Sequence, residues 1–147
     1  MPKKVRPIPK GYHTVTASLT QEDSGQTIEF CKKAFGAKLR MKMPSPNGKI
    51  MHAEVSIGDS VIMLGDASEE FEATRSSTHL YVDDVDAAYE RALQAGGESL
   101  SEPQDQFYGD RSAGVRDRFG NQWWMATHVE DVSMEEMQRR QAAMAQA

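Results

Sequence analysis

The sequence predicts an α+β fold built from two βαβββ modules, and three observations carry that expectation. Strand-like and helix-like segments recur in the same order in the two halves of the 147-residue chain. Each predicted long helix stops at glycine, the residue that most readily adopts the left-handed conformation past a helix end. An offset of 61 residues pairs Asp23 with Asp84, Ala34 with Ala95 and Gly36 with Gly97, so helix starts and helix ends superpose together. The length is that of one domain, 1–147. Its modules are expected at about 10–66 and 75–130, with an N-terminal arm at 1–10 and a C-terminal helix at about 133–145.

The opening MPKKVRPIPKG holds three prolines and no periodicity, so an extended arm is expected, frayed or lying across a neighbouring surface. Tyr12–Thr20 is rich in β-branched residues and alternates, as a half-buried strand does. Glu22, Asp23 and Ser24 give helix-start chemistry, and Ile28, Phe30, Cys31, Ala34 and Phe35 follow at helical spacing up to Gly36. Period two then takes over in three strands: Lys38–Met43, Lys49–Ile57 and Ser60–Leu64, broken by Pro-Ser-Pro-Asn-Gly and Gly58-Asp59. In the second half Thr78–Val82 reads as a strand and Val85–Gly97 as an amphipathic helix closed by Gly96-Gly97. Glu98–Ser101, Ser112–Val115 and Gln122–Thr127 are further strands, with turns at 102–104 and 118–121. Ser133-Met134-Glu135-Glu136 has the form of a capping box, and Met134, Met137 and Met144 fall near one side of the helix after it. That stripe suits docking on its own domain or on a second subunit. The two modules are expected to join their strands into one curved mixed sheet around a concave cavity, helices on the convex side. Small ligands bind in such concavities.

Composition narrows the function. With 17 basic against 22 acidic side chains the net charge is -5, which offers no broad attraction for nucleic acid or anionic lipid. No stretch approaches the roughly 18 apolar residues of a membrane-spanning helix. The single cysteine, Cys31, cannot form an internal disulfide, and the first ten residues have no apolar run of a signal peptide, so a cytoplasmic protein is expected. Within its predicted helix Cys31 reads as packing.

The segments IEFCKKAFGAKL (28–39), GKIMHAEVSIGDSVIMLGD (48–66), YVDDVDAAYERALQAGG (81–97) and DQFYGDRSAGVRDRFGNQWWMATHVEDVS (105–133) resemble the vicinal oxygen chelate superfamily of glyoxalases, bleomycin-resistance proteins and dioxygenases, in its PhnB-like branch. The resemblance implies a homodimer and, in the enzymes, one metal held by a side chain from each of four strands. Carried over residue by residue, those positions are Thr16, Met63, Ser77 and Trp124, again in two pairs related by the repeat offset. A divalent cation needs several carboxylate, imidazole or thiolate ligands. Two hydroxyls, a thioether and an indole do not supply them, so no cofactor is expected. The pattern looks like that of the metal-free binding members, with Trp124 and Met63 as an aromatic, polarizable pocket floor.

Other residues add to this candidate site. His52 and Glu54 lie two apart in one strand and share a face, with Ala53, Val55 and Ile57 on the other. They and His79 form either a hydrogen-bonded polar wall, a ligand contact or a displaced metal site. In the loop Asp105–Arg111, Tyr108 offers a flat face and a hydroxyl, and Arg111 a planar fork for a carboxylate, phosphate or ring carbonyl. The bland alternative pairs Arg111 with Asp110 or Asp117. His13 and His128 have no evident partner and read as surface or edge residues, and adjacent Trp123 and Trp124 must face opposite ways. The function expected is metal-free binding of a small organic molecule, an aromatic one in particular. Two alternatives stand beside it: a metal-dependent lyase or dioxygenase using His52, Glu54 and His79, and a protein-interaction module acting through its terminal arms. Whether a reaction is catalysed stays open at this point.

Overall fold

A computed structural model describes residues 4–146, so the expectations for residues 1–3 and 147 lie outside the described residues. The chain divides into two compact units between Arg75 and Ser76. The first contains β1 (Ala17–Gln21), α1 (Ser24–Phe35), β2 (Lys38–Pro44), β3 (Ile50–Ile57) and β4 (Ser60–Asp66). The second contains β5 (Ser77–Tyr81), α2 (Val85–Gln94), β6 (Glu98–Asp105), β7 (Asp110–Arg116), β8 (Gln122–His128) and α3 (Met134–Ala145).

Both modules carry the predicted βαβββ order, and each is wound identically. The sheets run β1-β4-β3-β2 and β5-β8-β7-β6; the first strand of each is parallel to the fourth and the other pairs are antiparallel. The backbone ladders are therefore two sheets, where the sequence suggests one joined sheet, because every strand finds its neighbours within its own module. Asp23 and Asp84, paired by the sequence offset, are both N-caps: their carboxylates accept from Gln26 N and Ala87 N, each at 3.1 Å. The same offset relates Asp66 to Thr127, and each fastens its helix to the last strand of its module. Asp66 Oδ1 accepts from Ser24 N at 2.7 Å, and Thr127 Oγ1 from Val85 N at 2.9 Å. Gly36, at φ 67°, ends α1 in the left-handed conformation.

In each module the helix after the first strand, α1 or α2, covers one sheet face. In the first module Leu19, Ile62, Leu64, Ala53 and Val55 are buried with Ile28, Phe30, Cys31 and Ala34 of α1. In the second, Leu80, Ala113, Val115, Trp123 and Met125 are buried with Val85, Ala88, Tyr89 and Ala92 of α2. Trp123 is thus core, as strand alternation requires.

Several boundaries differ from the sequence reading; α2, expected to run to Gly97, ends at Gln94. The first strand starts at Ala17 rather than Tyr12, because Tyr12 N turns back to Pro9 O at 3.1 Å and its side chain is drawn elsewhere. Strands β6 and β7 reach Asp105 and Asp110, so the loop expected at 105–111 narrows to 106–109. The α3 helix is capped by Ser133 as predicted, accepting from Glu136 N at 3.1 Å, but buries none of its residues. Among the described residues no helix is long and apolar enough to cross a membrane.

Candidate functional site

Register decides which side chains share the sheet face turned away from each helix. In the first module the row Ser18–Met63–Glu54–Met41 crosses all four strands on that face. His52 lies two residues from Glu54, with Nε2 2.8 Å from Glu54 Oε2. Although it is on this open side, Glu54 is only 8% exposed. The N-terminal arm covers it: the Tyr12 hydroxyl donates to Glu54 Oε1, and the Arg40 guanidinium stands 5.1 Å over the Tyr12 ring. Those donors, Tyr12 first and His52 second, hold the Glu54 carboxyl below the usual carboxylate range, and the hydrogen bond to Glu54 in turn pushes the Tyr12 phenol up. Between arm and sheet lies a hollow of about 510 Å³ lined by Ile8, Tyr12, His13, Thr16, Glu54 and Met63, among others. Thr16, Met63 and Glu54 thus meet in one place, with His52 hydrogen-bonded at its margin.

In the second module the corresponding row is His79–Trp124–Gly114–Ser101. The six-membered ring of Trp124 lies over Gly114, and its Nε1 donates to Gln122 Oε1 at 3.1 Å. Ser77 shares this face one row away, opposite Gln122. The His79 and Tyr81 rings are 5.0 Å apart, and the Tyr81 hydroxyl donates to Asp110 Oδ2 at 2.9 Å. Tyr108 packs edge-on against Phe107 at 5.3 Å and is partly exposed.

Arg111 is differently placed. Strand alternation groups it with Ala113 and Val115, on the α2 side of the sheet and opposite to Trp124. Its Nε and Nη2 donate to the two carboxylate oxygens of Asp86 at 2.8 and 3.0 Å, and Nη1 to Asp105 at 3.3 Å. The partners are neither Asp110 nor Asp117, since β7 begins early enough to turn Arg111 toward the helix. Asp117 instead gathers the turn before β8, accepting from Phe119 N, Asn121 N, Asn121 Nδ2 and Trp123 Nε1.

His128, read from sequence as lacking a partner, has two. Its Nδ1 is 2.8 Å from Asp110 Oδ1 and its Nε2 2.7 Å from Asp131 Oδ1. Tyr12, Tyr81 and Asp110 were equally hidden in the sequence. Asp110 and His128 meet because they are direct cross-strand partners, which composition does not reveal. An ionisable Glu54 on an open face with buried neighbours is the one local sign that a donor such as Tyr12 must cover it.

The donor set at the positions implied for a metal, Thr16, Met63, Ser77 and Trp124, does not fit a divalent cation. Among the described residues no three His, Cys, Asp or Glu side chains are gathered to hold one.

Comparison with known proteins agrees with this architecture. An uncharacterized protein of Mycobacterium tuberculosis is 36% identical over 131 residues, covering 82% of this chain and 77% of its own. TioX from Micromonospora sp. ML1 superposes with a TM-score of 0.67 at 25% identity, over 80% of this chain and 99% of TioX. TnmS3, an antibiotic binding protein from Streptomyces sp. CB03234, shares the fold with a TM-score of 0.63 at 23% identity, over 79% of this chain and 95% of its own. The family model that matches residues 13–125 spans both βαβββ modules, from the arm to the strand bearing Trp124, and on that match the chain belongs to the Glyoxalase/Bleomycin resistance protein/Dioxygenase superfamily.

Proposed function

We propose that this protein binds a small organic molecule, without a metal ion, against the sheet faces turned away from its helices. The observation that carries the reading is Trp124. Its indole is half-buried over Gly114, fixed by Gln122 and flanked by His79. A flat, polarizable surface held in one orientation is suited to stacking a planar ligand, a contact of about 0.5–1.5 kcal/mol beyond area burial. Ser77 and Tyr108 supply hydroxyls on the same module. On the first module Met63, Thr16, Glu54 and His52 offer a thioether floor with a polar wall. Arg111 is left out, since its guanidinium is engaged with Asp86 and Asp105. The antibiotic binding named for TnmS3 supports such a use of this fold. We also read the protein as a cytoplasmic homodimer; its only cysteine is a buried thiol that calls for no oxidising compartment, and its mass in solution tests the dimer.

The test is titration of tryptophan fluorescence with planar aromatic compounds. Trp123, fully buried, acts as an internal reference, so ligand-dependent quenching is expected in the native protein and lost in Trp124→Ala. A variant that binds with unchanged affinity would remove Trp124 from the site. A thermal-shift screen of neutral, cationic and anionic compounds gives the independent readout, because a ligand of the native state alone raises the melting point by mass action.

A further inference from the structure

Both ring nitrogens of His128 face carboxylate oxygens, Asp110 Oδ1 at 2.8 Å and Asp131 Oδ1 at 2.7 Å. A neutral imidazole has one N–H and cannot donate to both; the imidazolium can. The two acceptors differ in character. Asp110 is 4% exposed on β7 and already accepts from the Tyr81 hydroxyl, whereas Asp131 is fully exposed in the segment after β8. That segment leads into α3, which buries no residue. Val129 N and Glu130 N both donate to Gly109 O, at 2.9 and 3.0 Å. Arg140 of α3 reaches Glu130 at 2.7 and 3.1 Å and Phe107 O at 3.1 Å.

We propose that His128 is a proton-operated clasp: as imidazolium it joins Asp110 to Asp131 and fastens residues 129–133, and with them the root of α3, to the second module. On losing its proton it keeps Nδ1–H on the buried Asp110 and presents a lone pair to Asp131, which swings into water. The groups around it favour the charged form. Asp110 from β7 and Asp131 both attract it, and no cation among the groups that shift it opposes them. Tyr81 from β5 acts only through Asp110, Tyr108 neighbours Tyr81, and the next charges along the segment, Glu130 and Arg140, neutralise each other. Its titration therefore lies above that of an ordinary histidine, and the ordering it provides is complete at pH values below the free imidazole value and fades as pH rises through the raised one.

The experiment is an NMR titration of the imidazole Cε1–H resonances in the full chain, His128 being assigned with His128→Gln. The His128 midpoint is expected above about 6.5 and should move down in Asp131→Asn, an exposed substitution that leaves the fold intact. Amide protection at 129–133, corrected for intrinsic exchange, should fall across that midpoint in the native protein and show no such step in His128→Gln. A midpoint at or below the ordinary value, a midpoint unmoved by Asp131→Asn, or protection that ignores the midpoint would each overturn the clasp.

Discussion

Gly114 sits beneath the six-membered ring of Trp124, its cross-strand partner, so closely that a β-carbon built at position 114 would fall inside contact distance of Cε3 and Cζ3 and 3.0 Å from Cδ2. The backbone there is ordinary extended strand, so the requirement for glycine is one of space. Gly114→Ala must displace the indole or the strand, and overpacking of this kind costs about 1–3 kcal/mol. In Trp124→Ala the same substitution should cost far less, because the ring that the methyl group meets is gone. Urea denaturation of the two single variants and the double variant checks this; equal costs in both backgrounds would mean that the indole is not what excludes a side chain at 114.

What was legible in the sequence and what was not follows from how local each feature is. The helix ends were readable because Asp23, Asp84 and Gly36 act on backbone groups within a few residues of themselves. The opposite facing of Trp123 and Trp124 needs only strand alternation. Which residue lies beside which is another matter: Gly114 under Trp124, and Asp110 beside His128, depend on the register of β7 against β8. Arg111 lay between these cases. Counting back by twos from Val115 and Ala113 puts it on the helix side, once β7 is allowed to extend to Asp110. The Tyr12–Glu54 contact had no periodic signal at all, since the arm that delivers it is irregular.

That contact gives a pH dependence with a definite sign. The Tyr12 hydroxyl is the main cause of the lowered Glu54 pKa, and His52 the next. A carboxyl lowered on folding contributes stability above its unfolded pKa and loses it as pH falls through the folded value. Tyr12→Phe removes the main donor, so the native protein should exceed the variant in stability most clearly near neutral pH, the gap closing in acid as Glu54 takes a proton. Chemical denaturation at a series of pH values measures the gap. Limited proteolysis should also cut the variant faster around Gly11, because the arm loses its anchor to the sheet. A gap that stays constant into acid would show that Tyr12 acts through packing rather than through the Glu54 charge.

Asp117 holds the β7–β8 turn from within. Its carboxylate, 6% exposed, accepts from Phe119 N at 2.9 Å and Asn121 N at 3.0 Å through Oδ1, and from Asn121 Nδ2 and Trp123 Nε1, both at 2.9 Å, through Oδ2. Trp123 and Asn121 are fully buried, so Asp117→Ala takes the acceptor from donors that water cannot reach without opening the turn. At about 1–3 kcal/mol for a buried group deprived of its partner, the loss should total about 3 kcal/mol or more. Asp117→Asn keeps one oxygen and sets an amide donor against two of the existing donors, so it should fall between the native protein and the alanine variant. The near-ultraviolet circular dichroism of Trp123 reports the local consequence and urea denaturation the global one. Because Trp123 and Trp124 are consecutive, loosening the buried indole also frees the strand that aims the half-buried one. Asp117→Ala should therefore weaken ligand-dependent quenching at Trp124 without touching its face of the sheet, and a variant that loses less than about 1 kcal/mol would mean that the turn is held by its backbone alone.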